Sequence, residues 1–419
     1  MNQAFYTGIV GVQTHQYGID ILSDNIANIN TVGFRGYQAE FSSLFENAVE
    51  STVLSSPTSN SVGVGSALQA TSMNQTTGTL MQSDATTDLA IDGDGWFGIA
   101  NPQGVFYTRA GVFSFDGSRN LVTPAGDYVL GTMGNNISNG ILTEELSSLS
   151  LGSVTSQQAL MMPDEITYPV NPTTQAQFFG NLGTTDVPRL SSATLIDPEG
   201  AHNRLELRYA MSTPQPATGT AWDITATVTS NDGTTVYDTQ NGTATFNEFG
   251  ELTGFFIPNV DNNGASVAID LGSGYDGIYA TGSEEAGTFS SYTDGIDGGE
   301  LMGYDINQYA DIIATFTNGR QSAVGKVAVY HFQNDQGLER ISGTLFQESS
   351  NSGRPLFFTD ADGNNILGTT VRNSMLENSN IRFEVSLTEL IIMQRAYDAN
   401  AKSITTGDEL IQKALQMDA

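Results

Sequence analysis

From Phe5 onward, apolar residues return at Phe5, Ile9, Val12, Ile19, Leu22, Ile26 and Ile29. Such steps of three, four and seven place them on one face of an α-helix. The spacing predicts an amphipathic helix that stops near Gly33, because glycine just past the last periodic position is a common terminator. Gly8, Gly11 and Gly18 fall inside it. Each costs about 1 kcal/mol against alanine, so this helix needs packing partners to persist.

The other end of the chain is more regular. Leu387, Leu390, Gln394, Tyr397, Ala401, Ile404, Asp408, Ile411 and Leu415 alternate steps of three and four, which is a heptad seam. Gln394 and Asp408 are polar intrusions of the kind that set register or partner at some loss of stability. One such helix fits the core of a globular domain as well as a coiled coil. Two, at opposite ends of a chain whose middle reads as β, favour helices that pair with each other and with neighbouring copies. The apolar positions from Phe5 to Ile29 are therefore the expected subunit-interaction residues at one end. At the other end they are Leu387, Leu390, Gln394, Tyr397, Ala401, Ile404, Ile411 and Leu415.

Between the ends the period changes. Roughly Asn47 to Leu80 is rich in Ser, Thr, Gly and Asn and follows neither period, which predicts an extended linker. Strand-like runs follow at Val105–Thr108, Val112–Phe115, Tyr128–Leu130, Arg204–Ala210, Trp222–Val228, Ile312–Phe316 and Lys326–Phe332. Turn residues separate them, as at Asp116-Gly117, Asn231-Asp232-Gly233, Asn263-Gly264 and Asp335-Gln336-Gly337. No repeat of propeller or solenoid length is present. The fold class expected is mainly β with α-helical termini: a coiled-coil-like inner domain built from the two end helices, plus nested all-β domains. The division expected is 1–33 with 376–419 as the helical domain and 34–87 as linker. A core β domain takes 88–165 with 293–375, and an inserted outer β domain takes 166–292.

Composition narrows the chemistry. The 419 residues carry 15 basic and 46 acidic side chains, a net charge of −31, and only three lysines, Lys326, Lys402 and Lys413. With no basic patch to neutralise phosphates, nucleic acid and anionic membrane surfaces are poor partners. Residues 1–50 hold one basic and five acidic side chains and 376–419 hold four and seven, so most of the negative charge lies in the middle. Cysteine is absent, which removes disulfides, thiol catalysis and Cys-ligated metals. No apolar run approaches the ~20 residues of a membrane span, and the first dozen residues lack the pattern of a cleaved leader.

Gly93-Asp94-Gly95-Trp96-Phe97-Gly98 has dinucleotide-loop spacing, but its third glycine leads into a turn rather than a helix. Asp92-Gly93-Asp94 and Asp360-Ala361-Asp362-Gly363-Asn364-Asn365 are spaced like calcium loops. The second has Asn365 where the tight turn needs glycine and Val371 where a glutamate is needed, so both read as hairpin turns. His15, His202 and His331 are scattered, and no hydrolase elbow or zinc-binding helix motif occurs. No catalytic, metal or cofactor site is expected, and the chain is not read as an enzyme.

Three blocks resemble a known family. Tyr6-Thr7-Gly8-Ile9 with Ser23-Asp24-Asn25-Ile26-Ala27-Asn28-Ile29-Asn30-Thr31-Val32-Gly33-Phe34-Arg35 is similar to the N-terminal signature of the axial proteins of the bacterial flagellum, the rod and hook family. Asp88 to Phe97, Tyr107-Thr108-Arg109-Ala110-Gly111 and Leu121-Val122 to Gly131 resemble the start of that family's β core. Leu376-Glu377-Asn378-Ser379-Asn380, Leu390-Ile391, Gln394-Arg395-Ala396-Tyr397 and Asn400-Ala401 resemble its C-terminal helix. Asn181-Leu182-Gly183, Ala193 to Gly200 and Trp222-Asp223-Ile224 are similar to the inserted outer domain of hook members, though Pro198 and Glu199 depart from the usual turn there.

The resemblance implies a structural subunit that polymerises into a curved tube, a universal joint carrying torque from rod to filament. It implies contacts with further copies, with rod and hook–filament junction proteins, with a hook cap during assembly and with the flagellar export apparatus. It also implies an extracellular location in the hook, reached without a cleaved leader, and terminal helices that order only on assembly. The alternatives are a distal rod-like axial protein and, in another class, a secreted β-rich adhesin.

Overall fold

A computed structural model describes residues 2–44, 47–48, 61–62, 65–282 and 288–417. Helix α1 spans Asn2–Ala27 and helix α2 spans Phe383–Met417. They lie antiparallel: Gly18 faces Met393, Gly11 faces Asn400, Gly8 faces Ile404, and Phe5 meets Gly407. α1 ends at Ala27, short of the expected Gly33. The Asn28 side chain donates to the Asp24 carbonyl at 2.9 Å and the Thr31 hydroxyl donates to Asn28 Oδ1 at 3.1 Å, local bonds that compete with helical ones. Gly33 instead serves the crossing into the β core. Its φ of +69° and the Ala110 backbone beside it leave no room for a side chain.

The expected linker 34–87 is corrected in part. Tyr37–Ser43 and Ser66–Met73 pair antiparallel, with a register shift at Glu40/Phe41, and this ribbon lies on α1. The Thr14 hydroxyl donates to the Ser66 carbonyl at 2.6 Å. Leu80–Gln82 then pairs with Met375–Glu377. The Ser/Thr-rich composition hid a period-two burial pattern along Tyr37–Glu40. Residues 49–60 of that stretch lie outside the described ones.

The first β core holds one extended sheet. Its central order is Gly299–Ile306, Asp311–Phe316, Gln321–Val327, Tyr128–Met133, Trp96–Asn101, Gly104–Thr108, all antiparallel. Phe97, Ile99, Phe113, Leu121, Val129, Ile312, Phe316 and Val327 are buried within it. The run expected at Lys326–Phe332 is split into Gln321–Val327 and Val329–Tyr330, and that expected at Val112–Phe115 shortens to Ser114–Phe115. Asp335–Gly337 forms a 3₁₀ turn.

The chain leaves this sheet through Thr167–Tyr168 and returns through Gly299–Ile306. The two segments are themselves paired, Thr167 with Glu300 and Tyr168 with Gly299. Between them a five-stranded meander, Arg189–Ile196, His202–Met211, Thr220–Ser230, Val236–Phe246 and Leu252–Phe256, shares a second core with the sheet that contains Gln175–Asn181. Alternation does the work here: along His202–Tyr209, Asn203, Leu205, Leu207 and Tyr209 point inward and His202, Arg204 and Arg208 outward. Trp222, Ile224, Phe178, Val267 and Leu271 complete this core. Asn263-Gly264, with φ of +53° and +98°, closes a two-residue hairpin as their pairing predicts.

Candidate subunit interface

The terminal helices meet through small and polar residues. On α1 the buried positions are Gly8, Gly11, Thr14, Gly18, Leu22 and Asn25, spaced by three and four. A Cβ added at Gly11 would stand 2.6 Å from the Asn400 side chain, and one at Gly8 would stand 2.8 Å from Ile404 Cγ1. The glycines that weaken α1 on its own are what let α2 lie against it. Of the expected α1 seam only Leu22 is buried. Phe5, Ile9, Val12, Ile19 and Ile26 are half-buried, and Ile29 lies past the helix end, also half-buried.

On α2 the residues nearest α1 include Met393, Asn400, Ile404 and Gly407. Among the expected positions Ile404 is thus in the helix pair, and Leu390, Tyr397, Ala401 and Ile411 are half-buried. Leu387, Gln394 and Leu415 are exposed. On α1 the contact runs through the small residues beside the expected apolar positions, and on α2 the expected Ile404 shares it with Met393, Asn400 and Gly407. The glycines were missed as contacts because glycine carries no hydrophobic signal, and Met393 and Asn400 because they lie one position off the heptad series.

What the pairing leaves uncovered includes a set of large apolar side chains. Phe383, Val385, Leu387, Ile391, Ile392, Leu410, Leu415 and Met417 are 40–89% exposed. Val385 and Ile392 lie seven residues apart and Leu410 eighteen beyond Ile392, so these three fall on one line along α2. Burying each Leu or Ile side chain is worth about 1.5–3 kcal/mol, so covering this surface strongly favours association.

A buried charge cluster fixes the helices to the β core. Glu377, 1% exposed, pairs with Arg35 at 3.0 Å and with Arg109 at 3.5 Å. Its Oε1 accepts the Gly78 amide at 2.8 Å, and its carbonyl accepts the Gly33 amide at 2.7 Å. Arg35 donates to the carbonyls of Gln75, at 2.6 Å, and Thr76, and Arg109 donates to that of Gly93. Burial, and then the neighbouring Arg35, lower the Arg109 guanidinium to about 10, so it stays charged at neutral pH. Around it, Asn25 clasps the Tyr37 backbone in both directions, at 2.7 and 2.9 Å, and Asn380 joins Gly36 to Asn74. Arg340 pairs with Asp24 at 2.9 Å and lies over the rings of Phe34 and Tyr37. The three sequence blocks singled out above converge here.

The other motifs resolve as turns. Gly93 and Gly95 have φ of +131° and +128° and link the strands Leu89–Asp92 and Trp96–Asn101. Asp360 turns its carboxylate on its own hairpin, accepting the amides of Asp362 and Asn364 at 3.0 and 2.8 Å. Among the described residues no helix is long and apolar enough to cross a membrane.

Comparison with known proteins agrees with this construction. The family described as flagellar hook protein FlgE/F/G D1 domain matches residues 90–173. Flagella basal body rod protein matches 5–35, and flagellar basal body rod FlgEFG protein C-terminal matches 372–417. The chain is 27% identical to the flagellar hook protein FlgE of Borreliella burgdorferi and 26% identical to that of Treponema pallidum, over the whole of each chain. It is 28% identical to that of Brucella suis over 97% of this chain and 96% of the other. The crystal structure of Helicobacter pylori flagellar hook protein FlgE2 aligns with a TM-score of 0.49 at 16% identity, covering 71% of this chain and all of that one. With its helical ends, its β core and its whole length matched in this way, the chain belongs to the flagellar hook and rod protein family.

Proposed function

We propose that this chain is the structural subunit of a bacterial flagellar hook, polymerising into a curved tube that transmits torque from rod to filament. The observation that carries the reading is the apolar surface left on α2 after α1 is in place, on a helix pair pinned to the β core. Stacked copies cover that surface, so the helices of residues 1–33 and 376–419 form the inner tube. The core of 88–165 with 293–375 surrounds them and the insertion 166–292 faces outward. The finer partners follow from that position: rod below, junction proteins above, a cap at the growing end, and export through the flagellar channel. A chain whose terminal helices order on assembly suits a narrow channel. The distal rod alternative is less supported, since relatives matching the full length are hook proteins.

Electron microscopy of the full-length chain beside an Ile392→Asp/Leu410→Asp variant tests this. Curved tubes from the first and none from the second are expected. Discrete particles from the unaltered chain, at high concentration and with cap protein supplied, would overturn it.

A further inference from the structure

Four Asn-Gly pairs occur in the chain, at Asn139, Asn241, Asn263 and Asn318. Glycine puts no side chain in the way when its backbone nitrogen attacks the amide carbon of the preceding asparagine, which makes that asparagine labile. The attack needs an asparagine side chain free to turn onto its own backbone and a glycine amide free to lose its proton. By sequence the four pairs are equivalent, but the fold separates them. Asn318 donates to the Asp297 carbonyl at 2.7 Å, its Oδ1 accepts the Arg320 amide at 3.0 Å, and the Gly319 amide donates to the Phe316 carbonyl at 3.0 Å. Asn263 donates to Asp197 Oδ2 at 2.9 Å, and the Gly264 amide donates to Asp261 Oδ1 at 2.7 Å. Asn241 lies within the strand Val236–Phe246, accepts the Thr225 hydroxyl at 3.2 Å and is followed by a buried Gly242. Asn139 is held by nothing comparable. It is exposed at the tip of the hairpin that joins Ile137–Ser138 to Ile141–Leu142, with φ of +52°, and Gly140 follows at +76°. Among the described residues neither the Asn139 side chain nor the Gly140 amide makes a hydrogen bond.

We infer that Asn139 is a site of spontaneous covalent modification, its amide converting to a carboxylate ahead of the other three. The Gly140 nitrogen gives its proton to solvent hydroxide and attacks Asn139 Cγ. The new C–N bond closes a succinimide ring, the Cγ–Nδ2 bond breaks, and the nitrogen leaves as ammonia with a proton from water. A second water then opens the ring at either carbonyl, leaving aspartate or isoaspartate. The product matters because of where the hairpin sits. The Gly140 carbonyl accepts the Thr167 amide at 2.8 Å and Ile141 pairs with Thr167, on the strand by which the chain leaves for the outer domain. Isoaspartate routes the backbone through the side-chain carbon, which lengthens a turn whose length sets the hairpin's register. Leu142 is fixed in the first core, so the added length is taken up at the Thr167 pairing.

The test is to incubate the full-length chain in mildly alkaline buffer, folded and in parallel unfolded in urea, and to follow each asparagine by tandem mass spectrometry for exchange of its amide for an acid. In the folded chain Asn139 should convert severalfold faster than Asn241, Asn263 and Asn318, and an isoaspartate-specific methyltransferase should label the segment that holds it. In urea the four rates should draw together, because the bonds that hold three of the pairs are gone. Asp261→Ala frees the Gly264 amide and should raise the Asn263 rate in the folded chain while leaving that of Asn139 unchanged. An Asn139 that converts no faster than the others when folded, or one ranking of rates shared by the folded and unfolded chains, would overturn the inference. Either result would leave the hook reading intact.

Discussion

Glu377 holds two guanidiniums that have no other carboxylate within ion-pair distance among the described residues. Removing one partner of a buried pair leaves an uncompensated charge, at a cost of about 3–5 kcal/mol. Glu377→Ala is therefore expected to lower the denaturant midpoint sharply. Glu377→Gln keeps the shape and one acceptor and should fall between it and the unaltered chain. Equal midpoints for all three in urea titrations would remove the cluster from the account.

His331 gives a pH dependence. It is buried, with Nε2 2.6 Å from the Leu367 carbonyl and the Phe358 ring 4.4 Å away. Burial, the dominant cause, holds its imidazole below the ordinary value of 6.5. The unfolded chain thus takes up a proton first, and the site's contribution, complete above about 6.5, is lost as pH falls toward the lowered folded value. Unfolding midpoints at pH 7.5 and 5.5 should differ more for the unaltered chain than for His331→Gln. An identical difference would refute this assignment.

At the level of elements, the helix pair shows what sequence can and cannot reveal. Period and length made both helices legible, because a 3–4 spacing of Leu, Ile and Tyr has few other readings. The contact itself was not legible. Gly8, Gly11 and Gly18 read as weaknesses until Asn400, Ile404 and Met393 are seen against them. By helix propensity alone Gly11→Val should strengthen α1 by a few tenths of a kcal/mol. Against Asn400 it should instead separate the helices and raise the protein concentration needed for assembly severalfold, measured by sedimentation. Unchanged assembly would show that the close approach does not matter. In the same way, the strand Tyr37–Ser43 was invisible because its partner Ser66–Met73 lies across a long polar stretch. Two strands of the meander, expected at Arg204–Ala210 and Trp222–Val228, were readable because their inward and outward residues alternate.

For the molecule as a whole, the sequence blocks pointed to the family, but not to the meeting of Arg35, Arg109 and Glu377, which are distant along the chain and adjacent only in the fold. That junction makes helices and β core one mechanical unit, as a torque-carrying subunit requires. The acidic excess of the middle segment favours solubility of the outer surface, while the exposed apolar side chains lie on α2. The most direct test is a cryo-electron microscopy reconstruction of tubes formed by the full-length chain. The account predicts α1 and α2 lining the inner wall, with Val385, Ile392 and Leu410 buried against neighbouring copies. Tubes in which those side chains remain in solvent, or whose wall is held by the β domains alone, would contradict it.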